Sequence, residues 1–159
     1  MSASVLHHEL AIALVLHRSG SPDGRQALNA VGLRARAEWE SDADLEVARV
    51  MIAAAVAQGE AESDRSMPPG ARRIEAAARF AREHHLYAEA AAAFRSVAAV
   101  SLRENEPERA VEAAAYAMQC AQQAGDSAWA ERSRVFCRLW QERITAYPDM
   151  DWGAWVRSG

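Results

Sequence analysis

Residues 107–126, PERAVEAAAYAMQCAQQAGD, decide the fold. Within them Ala110, Val111, Ala114, Ala117, Met118 and Ala121 recur at the three-and-four spacing of one helix face. Pro107 suits a first helical turn, where a missing N–H costs nothing. Asn105 and Glu108 flank it in a capping-box pattern, in which side chains at the helix start take up free backbone donors. Gly125 stops the helix, and Asp126 opens the next. A helix bounded by two tight joints has antiparallel neighbours on both sides.

The same punctuation continues in both directions. Helical spacing predicts segments over about 3–18, 22–39, 42–58, 70–84, 86–103, 106–124 and 126–146. The first carries Leu6, Leu10 and Ala13 inward, the second Leu28, Val31, Ala35 and Trp39, and the third Leu45, Ala48 and Ile52. Phe94, Val97 and Leu102 serve the fifth, and Trp129, Ser133, Phe136, Cys137, Trp140 and Ile144 the seventh. Gly20 and Gly59 read as stops, Ser21-Pro22 as a start, and Ser41 with Asp44 as a variant capping box. Residues 59–70, GEAESDRSMPPG, read as the one clear loop. Alternating β-branched runs are lacking, so the fold class is all-α with about seven antiparallel helices. Such a chain forms either stacked helical hairpins or an irregular helical bundle.

Three segments, beginning at Gly24, Gly70 and Pro107, align as starter, Ala-rich helix, polar joint and a following helix with Glu46, Glu89 or Glu131 near its start. Their period is roughly 37–46 residues, suited to two-helix repeats. Phe94, Val97, Ala98, Ala110 and Ala117 have the spacing of large and small positions in a tetratricopeptide unit. The chain therefore resembles the tetratricopeptide (TPR-like) family, most strongly over 86–139. Ser101, Ala114 and Gln122 depart from it, standing where an aromatic, Phe and Pro are usual. The resemblance implies an α-solenoid of hairpins over about 22–58, 70–103 and 107–146 after an N-terminal helix. This makes one domain, 1–146, followed by a Trp- and Asp-rich tail, 147–159. It also implies recognition of a partner segment in a groove lined by the first helix of each pair. The family's carboxylate-clamp pattern of Lys and Asn is not visible, so no ligand residue follows from it.

Composition narrows the function classes. The chain has 159 residues, a net charge of −4 and a pI near 5.7, which argues against a nucleic-acid binder. All 18 basic residues are Arg, and Ala makes up about a quarter of the chain; both fit a GC-rich bacterial genome. The apolar run Leu10–Leu16 is too short to span a membrane and lacks a basic leader, so the expected location is cytoplasmic.

Nothing spells out chemistry. His7-His8 and His84-His85 are neighbours pointing about 100° apart on a helix, unsuited to chelating one ion. Cys120 and Cys137 lie on apolar-leaning helices without a thiolate motif. No phosphate-binding loop, dinucleotide glycine pattern or nucleophile elbow occurs. No catalytic residue, cofactor or metal is assigned. Arg49, Arg95, Arg132, Arg134 and Arg138 lie on the third, fifth and seventh helices, and arginine there can grip carboxylates in pairs of hydrogen bonds. A solvated surface paired with Glu46, Glu89, Glu131 and Glu142 is the other reading of those arginines. Trp152 and Trp155, beside Asp149 and Asp151, either fold back to cap the last helix or dock a partner. Arg49, Arg95, Arg134, Arg138, Trp152 and Trp155 are thus the candidate partner-binding residues. The expectation is a non-catalytic interaction module or adaptor for another protein or peptide segment, without membrane or nucleic-acid partners. A short stack has apolar ends, so tail capping or homo-oligomer formation follows. The alternatives are a small helical subunit of a larger, including nucleoprotein, assembly and an acidic inhibitor of the immunity type.

Overall fold

The computed structural model describes residues 3–63 and 69–158, which form eight helices. They are α1 (Ala3–Arg18), α2 (Asp23–Ser41), α3 (Leu45–Ser63), α4 (Pro69–Glu83), α5 (Tyr87–Arg103), α6 (Pro107–Gln123), α7 (Ser127–Ala146) and α8 (Trp152–Ser158). No strand occurs among the described residues. The eighth helix corrects the expected count of seven: it lies in the tail, where seven residues are too few for a periodic signal. The loop read over 59–70 also shrinks, because α3 continues through Gly59 to Ser63 and α4 begins at Pro69. The remainder of that loop, 64–68, lies outside the described residues. Helix–helix packing is mainly sequential: α1 on α2, α4 on α5, α5 on α6 and α6 on α7, with α8 returning to α5.

The chain divides into two compact units, 1–58 and 59–159. In the first, Leu6, Leu10 and Ala13 of α1 meet Leu28, Val31 and Ala35 of α2 and Val47, Val50 and Ala54 of α3. Trp39 and Met51 pack against that core from its edge. The α1 and α2 residues are those that helical spacing places on one face; on α3 the expected Ala48 and Ile52 are buried, but Leu45 is 47% exposed at the start of the helix, and Val47, Val50 and Ala54 face this core.

The second unit buries a small-residue core. Ala78, Ala81, Ala90, Ala98, Ala110 and Ala117 are almost fully enclosed around the larger Ile74, Phe94 and Val97. Alanine costs no side-chain entropy in a helix and lets backbones approach closely. Gly59 takes this furthest: a Cβ there would stand 2.4 Å from Ile74 Cγ1 and 2.7 Å from the Gly70 carbonyl oxygen. It is thus a packing position inside α3 and not a stop. Gly59→Ala is expected to cost about 1–3 kcal/mol, since the backbone carbonyl cannot rotate away. Urea unfolding of the purified chain measures this.

Three joints of this unit share one backbone form. His85, Asn105 and Gly125 all have positive φ, at 59°, 59° and 75°, and stand twenty residues apart. At each, the residue's own N–H donates to the carbonyl three back, at 3.1 Å. The next N–H donates five back: Leu86 to Ala81, Glu106 to Ser101 and Asp126 to Ala121, at 2.8–2.9 Å. This closure satisfies the last carbonyls of each helix. Gly20 makes the same turn in the first unit. Asn and His tolerate the left-handed region better than most side chains, which lets Asn105 and His85 stand where glycine is usual.

Two expected caps therefore change. Asn105 is not in a capping box; it occupies the turn, and α6 starts without a side-chain cap. Ser41 belongs to the end of α2 and donates to the Glu38 carbonyl, while Asp44 Oδ1 accepts from the Glu46 N–H. Asp126 does cap α7, its Oδ1 accepting from the Trp129 N–H at 3.1 Å.

Glu104, next to the Asn105 turn, ties α5 to the start of α4 by accepting from the Ala71 N–H. Its Oε1 is buried without a hydrogen-bond partner. Burial first, then the nearby Glu106 carboxylate, raise its carboxyl above the ordinary value. The folded state therefore holds this proton more tightly than the unfolded chain. Its stabilising effect is full below the unfolded value and is lost as pH rises through the folded one. Glu104→Gln keeps an acceptor for Ala71 and removes the ionisation. Chemical unfolding at several pH values is expected to show a flatter profile across the mildly acidic range, changed by less than about 1 kcal/mol because the group is part-exposed.

Candidate partner-binding site

The exposed face between α5 and α7 carries most of the unusual chemistry. On α7, Trp129, Arg132, Phe136, Trp140 and Arg143 follow at intervals of three and four residues, so they form one stripe. The Asp126 cap fixes where that stripe begins. Trp129 was expected in the core, yet it is 37% exposed. The Arg95 guanidinium, from α5, lies over its ring at 3.9 Å from the centroid, and that of Arg132 at 4.9 Å. Burial lowers the Arg95 pKa, and the Asp126 carboxylate pulls it the other way. The cation is therefore part-desolvated while stacked on an indole, where cation–π attraction is strongest.

Three turns along α7 stands a second aromatic–arginine group. Trp140 is buried and packs edge-on against Trp152 of α8, with ring centroids 5.2 Å apart. Trp155 lies 5.7 Å from Trp152 and 6.5 Å from Trp140, and is half exposed. Arg143 lies over Trp140 at 4.8 Å and over Trp155 at 5.6 Å. The tail thus folds back. Its Gly153 N–H donates to Asn105 Oδ1 at 3.2 Å, and Arg157 donates to the Arg103 carbonyl. A Cβ at Gly153 would come within 2.8 Å of Asn105 Cβ and N, so the close seat needs glycine. The Trp152 Nε1–H is buried without a partner.

The six candidate residues do not converge on one place. Arg49 belongs to the first unit and donates to Glu46. Arg134 holds Glu131 with two hydrogen bonds, at 2.6 and 2.9 Å. That pairing lowers the Glu131 pKa and raises the Arg134 pKa. Arg138 stands 3.5 Å from Glu142. Among the described residues Arg95, Arg132 and Arg143 make no ion pair; indole faces lie against all three, and the Asp126 carboxylate acts on Arg95 from longer range. Neither Trp129, expected in the core, nor Arg143 is among the candidate partner-binding residues read from the sequence. The signal that finds them is the alternation of aromatic and Arg along the α7 stripe.

Elsewhere the chemistry is muted. Burial raises the thiol pKa values of both Cys120 and Cys137, and Cys137 donates to the Val111 carbonyl. No group of three or more His, Cys, Asp or Glu that could hold a metal ion occurs among the described residues. A hollow of about 370 Å³ at the α6–α7 joint is lined by Met118, Gln122, Ala130, Glu131 and Arg134. No described helix is long and apolar enough to cross a membrane. Comparison with known proteins finds no matching family model, no similar curated protein and no similar solved structure.

Proposed function

We propose that the chain is a non-catalytic, cytoplasmic interaction module that recognises a partner protein segment on the α5–α7 face. One observation carries the reading: Arg95, Arg132 and Arg143, which make no ion pair among the described residues, lie along the exposed Trp129 and Trp155. Arg and Trp are the residues most enriched where interfaces concentrate their energy. The recurrence of one joint form every twenty residues supports stacking of the TPR-like kind. It gives about forty residues per helix pair against about 34 in a tetratricopeptide, so the likeness lies in the stacking and not in the repeat length.

The test is capture of partners by the tagged chain in lysate of its source cell, with and without residues 147–159. A stoichiometric partner, identified by mass spectrometry, is the expected result. No partner with either form overturns the adaptor reading. A second reading, a subunit of a larger assembly or homo-oligomer, draws on the exposed apolar side chains of α1, Val5, Ile12 and Val15. Light scattering across a concentration series separates a self-associating chain from a monomer.

A further inference from the structure

We propose that the α5–α7 face binds an acidic protein segment, gripped at two cationic stations. This rests on the interaction-module reading of the same face and names the partner's chemistry. The first station is Arg95 and Arg132 on Trp129; the second is Arg143 between Trp140 and Trp155. Arg132 and Arg143 are eleven residues apart, which is about 16 Å along the helix. An extended segment covers that distance with about four residues between its acidic groups.

Charge complementarity selects this occupant. The chain is acidic overall, at −4, yet among the described residues these three arginines make no ion pair, Asp126 acting on Arg95 from longer range. Several other arginines are matched, Arg36 with Glu40, Arg79 with Glu75 and Arg109 with Glu106; what sets these three apart is that they lie over indole rings. A guanidinium stacked on an indole is held in plane, with its N–H edges free to take a carboxylate by two hydrogen bonds. Single-stranded nucleic acid fits less well. Its bases need open aromatic faces, and Trp129 is already covered by Arg95. The net negative charge also repels a polyphosphate at long range.

The tail covers one end of the stripe. Asp151 begins α8, accepting from the Ala154 N–H, and the next residue, Trp152, enters the aromatic group at the second station. The second station is therefore partly covered by the chain's own tryptophans, while Asp151 is engaged in capping α8. The first station carries no such cover, since Trp129 and Arg132 are exposed.

The probe is a fluorescein-labelled peptide with two Asp-Glu pairs separated by four uncharged residues, one of them Leu. Fluorescence polarisation with the full chain at 50 mM salt is expected to show binding that weakens at 500 mM. The same peptide with Arg in place of the acids is expected not to bind. Each of Arg95→Gln, Arg132→Gln and Arg143→Gln is expected to weaken binding about tenfold. Arg36→Gln with Arg79→Gln, equal in charge to two of these, leaves it unchanged. If a glutamine variant misfolds by circular dichroism, Arg95→Lys with Arg132→Lys replaces it; it keeps the charge, loses the paired geometry and is expected to weaken binding.

No binding by the folded wild-type chain overturns the proposal, as does binding indifferent to the arginine variants. Tighter binding of a labelled oligouridylate overturns it in favour of nucleic acid. A captured partner that the triple glutamine variant retains removes the acidic-segment site and leaves the interaction module standing. Peptide binding as expected, with no captured partner, does the reverse.

Discussion

Trp140→Ala is expected to cost the second unit about 3–5 kcal/mol, the range for truncating a buried aromatic residue. Trp140 is only 4% exposed and lies between α7's own Phe136, 6.2 Å away, and the two tail tryptophans. Its removal leaves a cavity against which Trp152 cannot pack. Each aromatic pair contributes beyond its buried area, by about 0.5–1.5 kcal/mol. Among the described residues the hydrogen bonds that tie α8 to α5 and its joint are that of the Gly153 N–H to Asn105 and that of Arg157 to the Arg103 carbonyl. These are too few to hold seven residues against the entropy of release. The variant is therefore expected to lose the near-ultraviolet circular dichroism of the coupled indoles in native buffer, before any denaturant is added. Urea titration of that signal beside the far-ultraviolet signal checks both parts.

Phe94→Ala is expected to cost a similar amount, about 3–5 kcal/mol, by a different route. Phe94 is 1% exposed on α5, the helix that packs on α4, α6 and α8 alike. Its ring meets Tyr116 at 5.3 Å, and Arg82 stands over both rings, at 5.6 and 4.9 Å. The neighbouring core is mostly alanine, and alanine has no side-chain torsion with which to fill a hole. Collapse around the cavity is therefore poor, which places the cost toward the upper part of the range. Here the tail stays seated, so near- and far-ultraviolet signals are expected to fall together at a lower urea midpoint. Separate transitions of the two signals would refute that account.

The helices were legible because burial in this chain follows local spacing. Leu6, Leu10, Leu28, Val31, Ile74 and Phe94 are all inward residues that a three-and-four pattern picks out. Gly20 and Gly125 were legible as stops because both take positive φ. Gly59 was misread because a glycine that ends a helix and one that lets another backbone approach look alike in sequence. Asn105 was misread for a related reason. Its side chain finds its partner 48 residues away, at Gly153, beyond any local pattern. The candidate face was legible only in part. Arg95 stood out as an arginine on the right helix, whereas its indole partner, Trp129, comes from another helix. The pairing of Arg134 with Glu131 follows from their spacing of three. No spacing rule tells which arginines are left for something else.

The joints at 85, 105 and 125 have a further consequence, for how such a chain can change length. Residues 86–125 begin just after one left-handed turn and end on another of the same form. A tandem duplication of that stretch would place a native turn at both seams, with Gly125 followed by Leu86 at the new one. The added pair would meet neighbours already shaped for it. Growth by whole pairs would lengthen the stack by another helix bearing Arg95 and leave the α7 stripe and its tail unchanged, so the number of joints sets the length of the stack.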